Sequence, residues 1–453
     1  MKNGVRALYN ILFIIFFALS SPYYFLRLWR RGRHQQGFDW KKGFSQRFGR
    51  YDAKFKQAIT NRHTLWLHAV SVGEVNICTQ LIGALEHRLP NLKLIVSTTT
   101  TTGMESLQSK LPSHISKIYY PVDLRGWVAD ALSTSRPEAV VLVEAEIWPN
   151  FLWRAQDMGI PLFLVNARLS DRSYRGYKRF GLLFRPLFAA FAGVGVQNEG
   201  DAAKLRELGC RPEAVKVVGS LKFDAAVLHE RRHLHVSSLL GQLGVRPQAR
   251  LLVGGSTHAG EEAVLAEQFL RLRSRFPELF LVLVPRHFER SREVGRELTA
   301  RGIKFAYRNE VRDHTQFSPG ELDCLVVNTT GELKYFYEHA TVIFIGKSLT
   351  AEGGQNPIEA GALAKAMVFG PNMQNFADIV RAFLAQDGAV QVRDAAELET
   401  ALGDLMADDE RRRQLGRNAR KVVRENLGAI ERTVEMIVHH LDTREHYVAP
   451  IHV

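Results

Sequence analysis

Leu65-Trp66-Leu67-His68-Ala69-Val70-Ser71-Val72-Gly73-Glu74-Val75 packs a strand, a turn and a helix start into consecutive residues. A short apolar run gives way to small residues and a glycine, and a carboxylate then stands where helical periodicity begins. That order is the repeating step of a parallel sheet covered by helices on both faces. Outward from it, short β-branched or aromatic runs keep alternating with amphipathic stretches. Strands are expected at 65–69, 92–97, 118–120, 139–144, 162–165 and 194–197, and the pattern restarts at 251–254, 279–284, 325–328, 342–345 and 366–369. Between the two series, 227–250 is charged and poorly patterned, which puts a domain boundary there. The expected fold class is α/β, with two successive Rossmann-like domains. Residues 397–441 read as helices, with 408–413 marking an exposed helix start, and no repeat of solenoid length is present.

Upstream, 7–28 form the longest apolar run, closed by Arg27, Arg30, Arg31 and Arg33. Roughly 20 apolar residues span a bilayer core as a helix, and the cationic flank would hold the following chain on the cytoplasmic side. A cleavable signal peptide fits less well, because the run is long and no small-residue cleavage site precedes the arginines. Asn10, Ser20, Ser21 and Pro22 weaken a full span and leave a helix lying in the interface as the alternative.

The remainder is ordinary globular chain, 46% hydrophobic and 24% charged over 453 residues, enough for two or three packed domains. Of the formal charge of +13, residues 1–50 carry +9, from ten Lys and Arg against one Asp. The basic excess therefore sits beside the apolar run, where it would meet anionic head groups, and the body lacks the basic balance of a nucleic-acid binder. Three distant cysteines, Cys78, Cys210 and Cys324, argue against a disulfide framework or a zinc site and fit a reducing cytosol.

In such domains ligands bind outside the carboxyl ends of the strands, so the loops there are where chemistry is sought. Glu74, at a helix start, reads either as a first-turn capping glutamate or, in a dry cleft, as a general base taking a proton from a hydroxyl. Glu144 and Glu146 end the run 140–143. If the strand continues through both, they share a face and raise each other's pKa. They would then share a proton or gather sugar hydroxyls; alternatively one of them binds backbone N–H groups of the Trp148-Pro149-Asn150 turn. The segment 166–180 carries Arg168, Arg172, Arg175, Lys178 and Arg179 against one Asp, interleaved with aromatics. It is either a solvated helix face or, beside a membrane, a contact for an anionic and partly apolar acceptor.

The second half offers three loops suited to a nucleotide. Gly254 to Glu262 includes Ser256 and Thr257 as candidates for a donor phosphate, although it is neither a P-loop nor a dinucleotide fingerprint. Pro285-Arg286-His287 sets a cation at a strand end. Gly353-Gly354-Gln355-Asn356-Pro357-Ile358-Glu359 places glycines, an amide and a proline before a carboxylate suited to ribose hydroxyls.

These motifs in this order resemble the 3-deoxy-D-manno-octulosonic acid (Kdo) transferases, membrane-associated GT-B glycosyltransferases that move Kdo from CMP-Kdo to the lipid A precursor. The resemblance rests on the N-terminal apolar run, Ser71-Val72-Gly73-Glu74, Glu144-Ala145-Glu146-Ile147-Trp148-Pro149-Asn150, Asn166-Ala167-Arg168-Leu169-Ser170 and Leu221-Lys222-Phe223-Asp224. Ser256-Thr257-His258, Pro285-Arg286-His287, Thr330-Gly331-Glu332-Leu333 and Asn356-Pro357-Ile358-Glu359 extend it.

It implies a GT-B fold, two Rossmann-like domains facing a central cleft, with an N-terminal membrane-anchor helix. It implies Glu74 as catalytic base; Pro285, Arg286, Thr330, Gly331, Glu332, Asn356, Pro357, Ile358 and Glu359 as CMP-binding residues; an inverting displacement; and no metal or cofactor, CMP-Kdo being a substrate. The implied partners are the lipid A precursor, CMP-Kdo and the inner-membrane surface, with no nucleic acid. Nothing in the chain signals an oligomeric state. Departures from the family pattern are Gln355 for a histidine, Lys347 for a glycine, Ser220 for an asparagine and Thr330 for a methionine. On this reading 1–35 is anchor and basic flank, 36–226 the acceptor domain, 227–250 a linker, 251–430 the CMP-sugar domain and 431–453 a C-terminal helix and tail. The alternatives are another GT-B transferase or epimerase, or a non-catalytic binder of anionic glycolipid.

Overall fold

The computed structural model describes residues 2–32, 40–61, 63–144, 146–227, 234–312 and 314–441. Two parallel sheets of seven strands each account for the two series of apolar runs. The first holds β1 (Thr64–His68), β2 (Lys93–Thr98), β3 (Ser116–Tyr119), β4 (Ala139–Val143), β5 (Leu162–Ala167), β6 (Phe191–Val196) and β7 (Val215–Val217), in the order β3-β2-β1-β4-β5-β6-β7. The second holds β8 (Leu251–Thr257), β9 (Phe280–Pro285), β10 (Phe305–Tyr307), β11 (Cys324–Val326), β12 (Val342–Ile345), β13 (Met367–Phe369) and β14 (Val390–Gln391), in the order β10-β11-β9-β8-β12-β13-β14.

Both faces of the first sheet are covered, which is why its strands read as unbroken apolar runs. Alternate residues divide between two cores. Trp66, Val140, Leu142 and Leu164 lie in one, and Leu65, Leu67, Val141, Val143 and Val165 in the other. Strands β7, β10 and β14 do not register in the sequence, because edge strands of two or three residues are too short to display a period. At the other extreme, β8 runs on to Thr257, so Gly254 and Gly255 are strand residues and not the phosphate loop that their small size suggests. The bare backbone at Gly255 admits the Tyr337 ring; a Cβ there would sit 1.9 Å from Tyr337 Oη.

The chain forms two compact units, Met1–Ala225 with Leu427–Val453, and Ala226–Asn426. Where the sequence pattern ends its second domain at 430, the chain passes back at 426, and its last helix, Ala429–Val438, joins the core of the first unit beside Leu67, Val75 and Ile82. Asp224, from the Leu221-Lys222-Phe223-Asp224 motif, accepts the N–H of Gly428 at 2.7 Å and of Ile430 at 3.1 Å and so caps that helix. Of the expected linker, 228–233 lie outside the described residues, and Val236–Gln242 is helical.

The apolar run lies in one helix, Lys2–Gly32, which continues through Pro22. Arg33 of the basic flank lies outside the described residues. Within the helix, Gly4–Tyr23 is long and apolar enough to cross a membrane. One stripe of it is nevertheless docked on the first unit. Arg6 pairs with Asp157 at 3.0 Å, Asn10 Oδ1 accepts from Asn150 Nδ2 at 3.0 Å, and Tyr9 donates to Asp123 at 2.8 Å. Phe13 meets Trp148 edge to face, and Phe17 meets Trp127 in the same way. The opposite stripe, with Leu8, Ile11, Leu12, Ile15 and Leu19, is more than half exposed.

Candidate active site

The strand order turns from descending to ascending between β1 and β4 in the first sheet and between β8 and β12 in the second. The crevice at such a reversal is where open α/β sheets bind ligands. In the first unit, β1 ends at His68 and feeds Ser71-Val72-Gly73-Glu74, while β4 ends at Val143 and feeds Glu144 and Glu146.

Ser71 caps the helix Val72–Arg88 by accepting the N–H of Glu74, and the Glu74 carboxylate returns to accept Ser71 N–H at 3.3 Å. Its other oxygen accepts Val70 N–H at 2.8 Å. The capping role is therefore realised. Burial nevertheless raises the Glu74 pKa above the usual carboxylate range, against these hydrogen bonds and with help from the charge of Glu144. Capped and half-buried, the carboxylate is both oriented and made a stronger base than a solvated glutamate.

The strand does not continue through Glu144 and Glu146. Glu144 sits at φ 63°, left-handed backbone that ends the strand, and Ala145 beyond it lies outside the described residues. The two acids consequently take different partners. Glu144 acts on Glu74 and accepts from Asn166 Nδ2 at 3.4 Å. Glu146 accepts from His68 Nε2 and from Trp148 Nε1, both at 3.0 Å. Burial works to raise the Glu146 pKa, but His68 and the indole outweigh it and leave the acid below its ordinary value.

The buried His68 was not singled out from the sequence. Trp66 Nε1, which can only donate, is 2.7 Å from Ser97 Oγ, and that hydroxyl lies 2.9 Å from His68 Nδ1. Nδ1 also lies 3.1 Å from the Ser97 carbonyl, so the ring is held between Ser97 on one side and Glu146 on the other. The clue was period two: Trp66 and His68 share a face of β1.

Backbone N–H groups at the Trp148-Pro149-Asn150 turn go to neither glutamate. Asp123, which carries no local motif, accepts Asn150 N–H at 3.0 Å and Phe151 N–H at 2.9 Å. Burial pushes its pKa up to about 6, against those bonds and the hydroxyl of Tyr9.

Arg168 is half-buried, whereas Arg172 and Arg175 are exposed; the latter two lie on the helix Asp171–Arg179, which buries no residue.

In the second unit, the residues expected to bind a nucleotide all follow the carboxyl ends of adjacent strands. Ser256 and His258 close β8, Arg286 and His287 follow β9, and Thr330, Gly331 and Glu332 follow β11. Asn356 to Glu359 lie between β12 and β13, where Asn356 Oδ1 accepts Ile358 N–H at 3.1 Å. Burial raises the Glu359 pKa, opposed by the positive charges of Lys334 and Arg286, so Arg286 and Glu359 are electrostatic neighbours. Two candidates are already engaged. Glu332 is paired with Arg308 at 3.0 Å, and the fully buried Thr257 gives its hydroxyl to Glu262 at 2.9 Å. Thr257 thus braces the strand end, and of the two phosphate candidates Ser256 remains, in left-handed backbone at φ 53°.

Residues 42–225 match the family model of 3-deoxy-D-manno-octulosonic-acid transferase. Over 427 residues the chain is 32% identical to the 3-deoxy-D-manno-octulosonic acid transferase of Bordetella pertussis, covering 92% of this chain and 96% of that protein. The chain belongs to the Kdo transferase family. The Haemophilus influenzae transferase, 29% identical over 83% of this chain and 87% of its own, is a second relative. Among solved structures, UDP-GlcNAc 2-epimerase from Neisseria meningitidis matches with a TM-score of 0.57 at 13% identity, over 83% of this chain and all of that one. A glycosyltransferase from Rickettsia africae matches with a TM-score of 0.52 at 11% identity, over 84% of this chain and all of that one. At those identities the likeness is one of fold, the GT-B fold expected for Kdo transferases.

Proposed function

We propose that this Kdo transferase moves Kdo from CMP-Kdo to a glucosamine hydroxyl of a lipid A precursor, with inversion, in lipopolysaccharide biosynthesis. The observation that carries this reading is the state of Glu74: a carboxylate at the reversal point of the first sheet, fixed by two backbone N–H groups and raised in pKa. It takes the proton of the acceptor hydroxyl, whose oxygen attacks the anomeric carbon of Kdo while CMP leaves with the bonding electrons. Arg286, exposed at the end of β9, stabilises the charge growing on the leaving phosphate, an electrostatic role that often dominates catalysis. Asn356 and Glu359 orient the nucleotide. Arg168, Arg172 and Arg175 offer guanidinium forks to the anionic lipid. The step routes its charge through side chains and uses no metal.

The N-terminal helix holds the enzyme at the cytoplasmic face of the inner membrane. Its docked stripe includes an ion pair and a side-chain amide pair, groups costly to place in hydrocarbon. An interfacial helix, with Leu8, Ile11, Leu12, Ile15 and Leu19 toward lipid, accounts for both stripes.

The test is incubation of purified protein with CMP-Kdo and lipid A precursor, with mass spectrometry of the lipid. A mass increase of one or more Kdo units is expected. Glu74→Gln should slow transfer by about 10²–10⁴-fold, the usual share of a general base, while CMP binding is kept. Full activity in that variant would remove Glu74 from the chemistry.

A further inference from the structure

The reversal point of the second sheet carries a cation that neither the family motifs nor the roles above use. Lys347 follows β12 after Gly346, beside the end of β8. Its backbone is left-handed at φ 55°, a conformation uncommon for a residue with a side chain and concentrated at functional positions.

The surroundings hold it there. The fully buried Glu261 accepts the N–H groups of Lys347 at 2.7 Å, Ser348 at 2.8 Å and Leu349 at 3.0 Å, and that of His258 at 2.9 Å. The Lys347 carbonyl in turn accepts Gly354 N–H at 2.9 Å. Both oxygens of Glu261 are thus committed to backbone N–H groups and not to the ammonium. The side chain reaches the bare backbone of Gly353, where an added Cβ would lie 3.4 Å from Lys347 Nζ.

Positive charge collects around this point. Burial lowers the His258 pKa, against its hydrogen bond to the Ser256 carbonyl and the charge of Glu261, and the charges of Lys347 and His287 act in the same direction as burial. The rings of His258 and His287 are 5.7 Å apart, and Arg286 is next in the chain. Among the described residues neither Lys347 nor Arg286 has a carboxylate within ion-pair distance. Cations without an ion-pair contact, on glycine-bordered loops at a sheet's reversal point, form a site for an anion.

We propose that Lys347 binds the nucleotide-sugar donor, its ammonium contacting an anionic oxygen of that molecule. This rests on the donor reading above. The oxygen belongs either to the phosphate or to the sugar carboxylate, and both are present in CMP-Kdo.

Calorimetry with CMP and steady-state kinetics with CMP-Kdo separate the two in the full-length enzyme. Lys347→Gly is the informative variant, since glycine accepts φ 55° without strain and the Glu261 bonds are made by backbone. Lys347→Met keeps the side-chain bulk as a control. If the phosphate is the partner, CMP binds each variant at least about tenfold more weakly, as expected for loss of a charge-assisted hydrogen bond. If the carboxylate is the partner, CMP affinity is kept and KM for CMP-Kdo rises by a similar factor. Unchanged CMP affinity together with unchanged KM in both variants overturns the role of Lys347. A wild-type protein that neither binds CMP nor turns over CMP-Kdo overturns the donor reading and this proposal with it.

Discussion

Glu74 and Glu144 form an acidic pair that sequence spacing does not suggest, because the chain turns left-handed at Glu144 and sends it toward Glu74 and away from Glu146. The pairing has a consequence for pH dependence. On the proposed mechanism Glu74 must be ionised to accept a proton, so activity is expected to be low below its pKa and to climb through it. Burial and the Glu144 charge set that rise above the ordinary carboxylate range. Removing the charge with Glu144→Gln lowers the Glu74 pKa, and the acid limb of the kcat/KM profile should move to lower pH. An unmoved limb would show that another group titrates there. Glu74 and Arg286 were legible as candidates because each comes shortly after a strong apolar run, Glu74 in the first turn of a helix and Arg286 in a loop. His68 and Asp123 were not, since their roles come from Ser97, Glu146, Asn150 and Tyr9, partners brought together only by the sheet.

Strands with neighbours on both sides announce themselves by continuous apolar runs, and the rims β7, β10 and β14 stay silent because so few of their residues are covered. The N-terminal helix is the opposite case: loud as an apolar run, yet its split into two stripes is invisible in hydropathy. Arg6, Tyr9, Asn10, Phe13 and Phe17 recur at intervals of one, three and four and mark the docked face. A helix so attached keeps its start and its end on one side of a bilayer. With Gly4→Cys added to sealed vesicles, a membrane-impermeant maleimide should label the new thiol, since the native Cys78, Cys210 and Cys324 are buried. Protection of the new thiol until the vesicles are opened by detergent would mean that the helix spans.

At the scale of the molecule, the chain leaves the first unit after Ala225 and returns at Leu427, so the second unit is continuous and the first is assembled from two pieces. The returning piece is structural. Ile430, Val434, Met436, Ile437, Val438 and Leu441 are each at most 6% exposed. Burial of six such side chains contributes on the order of 10 kcal/mol, as much as the entire net stability of a typical domain. Asp224 then explains the Leu221-Lys222-Phe223-Asp224 motif without substrate: its carboxylate fixes the N-terminus of the returning helix. Asp224→Ala should cost about 2 kcal/mol or less, as helix caps do, and leave KM for CMP-Kdo unchanged. Truncation after Asn426 is the severe version. The remaining chain should lose the cooperative unfolding of its first unit, while a 226–426 fragment, whose core Leu252, Phe269, Leu281, Phe344 and Leu402 share, folds alone. Circular dichroism and hydrogen exchange on the two fragments read this directly. A stable 1–426 chain with protected amides in β1 and β4 would show that the first unit does not need its second piece.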